Sequence, residues 1–89
     1  MMYPYMTLND NTEIVHSEML DDGRVKVCIE KPVSGGFHHA TCYLPKYERE
    51  DIYGFSEKEV DFFKTLVQNN AHIMIEFSRE GGFSDASNF

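Results

Sequence analysis

Apolar and polar residues alternate along much of the first half of the chain, as they do in strands that bury one face. The run 24–30 is the clearest, because Val25, Val27 and Ile29 fall on one side while Cys28 and the charged residues fall on the other. Residues that favour turns separate this run from its neighbours. The pattern predicts an antiparallel meander of three to four strands. Its segments are 5–8, 12–20, 24–30 and 37–44.

The pattern changes at Ser56, where a helix is predicted to begin. Ser56 and Glu59 have the spacing of a capping box, in which each side chain accepts a hydrogen bond from the other residue's backbone N–H, and Phe55 can pack on Val60. Apolar residues then recur at helical spacing as far as about Asn69. This stripe consists of Val60, Phe63, Leu66 and Val67.

Residues 71–80 fit two structures. The alternation of apolar residues in 73–77 is typical of a strand, whereas Asn70 as N-cap and Gly81 as C-terminal stop would bound a second, short helix. The composition favours the helix, and residues 83–89 are predicted to fray. The sequence thus predicts one small α+β domain over residues 1–89, with one long and one short C-terminal helix packed on one face of the sheet.

The register of the first long hairpin can also be predicted. Gly23 suits the left-handed position that ends a three-residue loop, so that Leu20 lies opposite Arg24 and Val15 opposite Ile29. A two-residue Asp-Gly turn is the alternative, but it would place a carboxylate in the core. In the register set by the three-residue loop, the predicted inner face consists of Val15, Met19, Val25, Val27 and Ile29.

The next hairpin is predicted to pair Glu30 with Phe37, which turns Ala40 and Cys42 inwards. One helix pair cannot cover both faces of the sheet, so an outer face should stay available. An apolar centre with a polar rim is typical of a partner-binding patch. The predicted interaction surface consists of Ile14, Leu20, Phe37 and Tyr43.

Composition narrows the classes of function. Eight Lys and Arg residues among fifteen Asp and Glu give a net charge of −7. The chain therefore lacks the basic stripe that direct nucleic-acid binding needs, and its charge also disfavours an anionic membrane. Two cysteines make no disulfide framework, and no apolar leader opens the chain, so a cytoplasmic protein with reduced thiols is expected. An acidic surface favours plain solubility in the first place, and it also suits a basic protein partner.

One set of side chains could form a metal-binding or catalytic site. In the predicted register His16, Cys28 and His39 lie side by side on three adjacent strands of the outer face, close enough to share a zinc ion. His39 could also serve Cys28 as a base, whereas Cys42 is expected to behave as a small buried hydrophobic residue. The alternative is an ordinary solvated surface, because the spacing matches no metal or catalytic motif. No cofactor is predicted.

The leading functional hypothesis is a small acidic cytoplasmic protein-interaction module without catalytic activity. Its partner would be another protein or a second copy of the chain, in a homodimer. The alternative hypothesis is a small metal- or thiol-dependent activity that uses His16, Cys28 and His39. No part of the sequence carries the motif of a known family.

Overall fold

The computed structural model describes residues 1–80. The strands are β1 (Met2–Thr7), β2 (Glu13–Ser17), β3 (Val25–Val33), β4 (Gly36–Leu44) and β5 (Glu48–Tyr53), and the helix is α1 (Glu57–Arg79). The strands form one antiparallel sheet in the order β1-β2-β3-β4-β5.

The predicted α+β fold, an antiparallel meander followed by a long helix, is confirmed. Two details of that prediction are wrong. The sheet has five strands rather than three to four, and residues 71–79 continue α1 instead of forming a separate short helix. The predicted frayed tail, 83–89, lies outside the described residues.

The core lies between α1 and one face of the sheet, which we call the inner face. Val25, Val27 and Ile29 are buried there, as their alternation predicted. Apolar side chains of the neighbouring strands and of the helix stripe close the core from the other sides. These buried residues are Ile14, Ala40, Cys42, Leu44, Val60, Phe63, Val67 and Met74.

The loop between β2 and β3 has the predicted three-residue form. The Leu20 N–H donates to the Arg24 carbonyl (2.8 Å), and the Gly23 N–H donates to the Leu20 carbonyl (2.9 Å). Gly23 adopts a φ of 85°, a conformation that glycine reaches without the penalty of a Cβ atom. The loop predicted from the sequence is therefore confirmed.

The strand pairing beyond this loop differs from the prediction by one residue. Val15 lies opposite Cys28 instead of Ile29. A one-residue shift turns every side chain of a strand to the other face, so Val15 is on the outer face. The predicted outer positions of Ile14 and His16 are wrong, because both are buried on the inner face.

The shift arises where β2 ends, at Ser17. The Ser17 hydroxyl accepts a hydrogen bond from the Lys26 N–H (2.9 Å), in the place of a strand carbonyl. Two residues later, the Met19 N–H donates to the Ser78 carbonyl (3.2 Å), so this backbone group bonds to the helix instead of the sheet. Residues 18 and 19 leave the ladder as a result, and the pairing of β2 with β3 differs by one residue from the pairing of Leu20 with Arg24.

The β3–β4 hairpin turns through two residues, 34 and 35. Val33 lies opposite Gly36 and Pro32 opposite Phe37, so the predicted pairing of Glu30 with Phe37 is wrong by two residues. A shift of two keeps each side chain on its face, and the predicted faces are confirmed. Ala40 and Cys42 point inwards, and Phe37 and Tyr43 point outwards.

α1 runs without a break through Asn70, the residue predicted to cap a second helix. The Asn70 side-chain amide donates to the Leu66 carbonyl (2.8 Å) and its oxygen accepts from the Tyr5 hydroxyl (2.7 Å). Asn70 therefore bonds to the preceding helical turn and to β1, and no backbone N–H is left for it to cap. The buried residues of α1 are Val60, Phe63, Val67, Met74 and Ser78.

Both edges of the sheet carry features that oppose further strand pairing. Residues 48–51 of β5 are all charged and exposed, while β1 contains Pro4, which has no N–H, and a register shift between Pro4 and Met6. Proline, charge and bulges are the devices by which natural edge strands avoid a new neighbour. Both edges are therefore poor templates for a further strand.

Candidate functional site: the outer face of the sheet

The outer face, turned away from α1, is built from rows of side chains that cross the strands. Within residues 1–80 the only helix lies on the inner face, so this part of the chain puts no second layer over the outer one. The first row is Thr7, Glu13, Glu30, His39 and Tyr53. The second is Pro4, Val15, Cys28, Thr41 and Glu50, and the third contains Lys26, Tyr43 and Glu48.

Three aromatic side chains form what we call the aromatic corner: Phe37, His39 and Tyr53. The rings of His39 and Tyr53 are stacked, with centroids 5.5 Å apart and planes inclined by 22°. Phe37 is two residues from His39 along β4 and shares its face. Phe37 is 57% exposed and Tyr53 is 64% exposed. Large apolar rings exposed together are a recurrent feature of binding surfaces.

Arg24 lies at the opposite end of the outer face, where it contacts an aromatic ring and two carboxylates. Its guanidinium lies 4.3 Å from the centre of the Tyr43 ring, and it forms ion pairs with Asp22 (2.7 Å) and Glu48 (3.4 Å). Hydrogen bonds from the backbone and side chain of Arg24 lower the pKa of Asp22. The hydrogen bond to Asp22 likewise raises the pKa of Arg24. Tyr43 is half-buried beneath this group and offers a partner less apolar surface than Phe37.

The carboxylates near the aromatic corner form no comparable ion pairs within residues 1–80. Glu13, Glu30 and Glu50 are exposed, and within residues 1–80 no cationic nitrogen lies within 4.0 Å of them. Glu13 and Glu30 are direct cross-strand neighbours, an arrangement of like charges that destabilises a sheet. Lys26 is four residues from Glu30 along β3, a distance of roughly 13 Å.

The four residues of the predicted interaction surface do not form one patch. Phe37 and Tyr43 are on the outer face as predicted, and Leu20 is half-buried in the β2–β3 loop. Ile14 is 1% exposed in the core, because the one-residue shift of β2 turns it inwards. The sequence interpretation missed Tyr53, since the acidic segment that carries it was not recognised as a strand.

The predicted row of metal ligands is also wrong. His16 faces α1, while Cys28 and His39 lie on the outer face opposite Thr41 and Glu30. Cys28 and His39 are therefore diagonal neighbours, and the third ligand is on the other side of the sheet. In the part of the chain that the structure describes, no three histidine, cysteine or carboxylate side chains are grouped to hold a metal.

The two thiols differ in their surroundings. Burial raises the pKa of the Cys42 thiol to about 12, so this thiol stays protonated and unreactive at neutral pH. Cys28 is half-buried, and its sulfur lies 3.9 Å from the Thr41 hydroxyl. Neither environment provides the electropositive setting that activates a cysteine nucleophile.

His16 instead belongs to a buried polar cluster that sequence reasoning did not foresee. The Ser78 hydroxyl donates to the Ser17 carbonyl (2.7 Å), and Nδ1 of His16 is 2.9 Å from both the Ser17 carbonyl and the Ser78 hydroxyl oxygen. Both oxygen atoms therefore accept a hydrogen bond from Nδ1, so the ring hydrogen of His16 is on Nδ1. The rings of Tyr3 and Tyr5 flank the imidazole, at 5.8 and 6.4 Å between centroids. This cluster joins the end of α1 to β2.

Comparison with protein-family models, with curated proteins and with solved structures finds no match. Within residues 1–80, α1 is too polar to cross a lipid bilayer.

Proposed function

We propose that the protein is a small acidic protein-interaction module, cytoplasmic and without catalytic activity, which binds a partner chain through the outer face of its sheet. The observation that carries the proposal is the aromatic corner. Phe37 and Tyr53 are more than half exposed on the face that α1 does not cover. Polar residues surround them, as they surround the apolar centre of a typical protein interface.

The alternative that used His16, Cys28 and His39 gains no support from the fold. His16 lies on the opposite face of the sheet from Cys28 and His39, so the three side chains cannot act together on one substrate. The outer face, by contrast, needs no rearrangement to receive a partner, because its aromatic rings are already accessible.

Photo-crosslinking tests the proposal and does not require the partner to be identified first. Benzoylphenylalanine would replace Phe37 or Tyr53 in cells, and Phe62 would be the control, since its ring is 56% exposed on the helix. We expect a discrete crosslinked species from the two outer-face positions and none from Phe62. A homodimer would give the same species from the purified 10.3 kDa chain.

A second substitution separates specific from accidental crosslinking. Tyr53→Lys should remove the crosslinked species formed at position 37, because a charged side chain disrupts an apolar contact. Circular dichroism should show that this variant keeps its fold, since Tyr53 contributes little to the core. Equal crosslinking from Phe62 and from the outer face would contradict the proposal.

A further inference from the structure

The charges of the outer face are divided between its two ends. Its cations, Arg24 and Lys26, lie on the side of Tyr43, whereas the uncompensated carboxylates lie beside the aromatic corner. Arg24 is already engaged by Asp22 and Glu48. A partner that reaches the aromatic corner therefore meets an acidic surface.

The first row fixes the geometry of that surface. Glu13 and Glu30 are opposite each other on β2 and β3, and the row continues through His39 to Tyr53 on β5. With strands about 4.8 Å apart, the midpoint of the two carboxylates lies about 12 Å from Tyr53. Residues four apart in an extended chain are separated by about 13 Å, which is nearly the same distance.

We infer that the occupant of the outer face is an extended protein segment that carries two basic side chains four residues apart. This inference rests on the proposed function. One cation lies between the carboxylates of Glu13 and Glu30, where it relieves their repulsion. The other lies on the Tyr53 ring, to which a planar guanidinium is attracted by the ring's quadrupole. Arginine therefore suits the second position better than lysine.

A second copy of the chain suits this surface less well. A two-fold contact across this face would place the exposed carboxylates Glu13, Glu30 and Glu50 of both copies in one interface. The net charge of −7 on each chain adds a long-range repulsion. A basic segment meets neither obstacle, and its approach is accelerated by the same charge.

The experiment uses the full chain, labelled with ¹⁵N and titrated with a synthetic peptide, Ser-Arg-Ser-Thr-Ser-Arg-Ser. The control peptide, Ser-Ser-Arg-Arg-Ser-Thr-Ser, has the same composition and charge but adjacent arginines. We expect the spaced peptide to shift the backbone amide signals of β3 and β5 and to bind more tightly than the control. The binding should weaken as salt is added.

Two double variants test which carboxylates matter. E13Q/E30Q removes the paired carboxylates, and E76Q/E80Q removes the same amount of charge from the end of α1, where both residues are exposed. Binding should weaken roughly fivefold or more in E13Q/E30Q, as expected for two exposed ion pairs, and should change little in E76Q/E80Q. Equal weakening in both variants would show unspecific attraction and overturn the inference.

The remaining outcomes separate this inference from the proposed function. If neither peptide binds and the purified chain is a dimer that Tyr53→Asp dissociates, the outer face is an interface but its partner is a second copy. The inference is then overturned and the proposed function stands. If the peptide shifts amide signals of α1 and none of the sheet, both are overturned.

Discussion

Gly54 occupies a position where a side chain has no room. Its φ is 87°, and a Cβ atom built on it would overlap the His38 ring. That ring packs in turn against Phe55, with centroids 5.7 Å apart. The residue therefore combines a left-handed backbone with close packing, and it fixes how the chain passes from β5 into α1.

Substitution of Gly54 by alanine should be strongly destabilising. Gly35→Ala is the matched control, because Gly35 has a φ of 85° and no atom of residues 1–80 lies within 4 Å of its would-be Cβ. The control should cost about 1–2 kcal/mol for the left-handed conformation alone, and Gly54→Ala should cost about 3 kcal/mol or more. Urea denaturation measures the loss of unfolding free energy in both variants. Equal losses would mean that the His38 ring can move away from the new Cβ atom at little energetic cost.

Two weakly acidic side chains, the half-buried Tyr47 and the buried Cys42, predict how stability responds to alkali. Burial raises the pKa of Tyr47 from 10.0 to about 12 and the pKa of Cys42 from 9.0 to about 12. The folded state thus binds these protons more tightly than the unfolded state. Their contribution to stability is complete below about pH 9 and is lost as the pH rises towards 12.

Tyr47→Phe isolates one part of this response. The variant has no phenol to ionise, so its free energy of unfolding should fall less steeply between pH 10 and 12 than that of the wild type. Denaturant titrations at a series of pH values provide the measurement. Parallel pH profiles for the two proteins would show that the phenol ionises equally well in the folded and unfolded states.

At the scale of elements, α1 depends on its first turn. The Glu59 N–H donates to the Ser56 hydroxyl (3.2 Å), and the Ser56 N–H donates to the Glu59 carboxylate (2.9 Å). The hydrogen bonds with the backbone and side chain of Ser56 lower the pKa of Glu59. The capping box predicted from the sequence is therefore confirmed in both of its hydrogen bonds.

A double-mutant cycle can measure whether the two residues act as a unit. Ser56→Ala should cost ~0.5–2 kcal/mol, and Glu59→Ala should cost less in the Ser56→Ala background than in the wild type. Glu57→Ala provides the control, since Glu57 is in the same turn but outside the box. Its effect should add to that of Ser56→Ala, whereas additivity for Glu59 would contradict a cooperative box.

At the scale of the whole molecule, stability depends on which side of α1 meets the sheet. Phe63 is 4% exposed and packs against Phe55 with centroids 4.8 Å apart, while its neighbour Phe62 is largely exposed. Adjacent residues of one type thus lie on opposite sides of the boundary between core and solvent. They provide a direct measure of what the core contributes.

Phe63→Ala should destabilise the protein by ~3–5 kcal/mol, because it leaves a cavity in the core. Phe62→Ala should change the free energy of unfolding by no more than ~0.5 kcal/mol. Chemical denaturation of the pair tests the packing of α1. If Phe62→Ala proved the more damaging, the helix would have to be rotated relative to the sheet.

The sequence alone was sufficient wherever a local rule decides the structure. The alternation of 24–30 identified a strand with one buried face, and the cap at Ser56 located the start of α1. Gly23 identified the hairpin loop. In each case the determining interactions join residues that are close in the chain, so the printed sequence contains both partners. The exposed outer position of Phe37, and hence part of the candidate site, followed from the same local alternation.

Tertiary contacts decided the rest. The register of β2 depends on the hydrogen bond from Lys26 to Ser17 and on the hydrogen bond from the Met19 N–H to the Ser78 carbonyl. The second bond joins residues far apart in the chain. In the resulting register, Ile14 and His16 lie in the core. The sequence of β5 does not alternate between apolar and polar residues, because all residues of this strand are exposed to solvent. Only its backbone pairing with β4 defines it as a strand. Tyr53 therefore joins His39 only in the folded sheet, and the aromatic corner is a product of the tertiary structure.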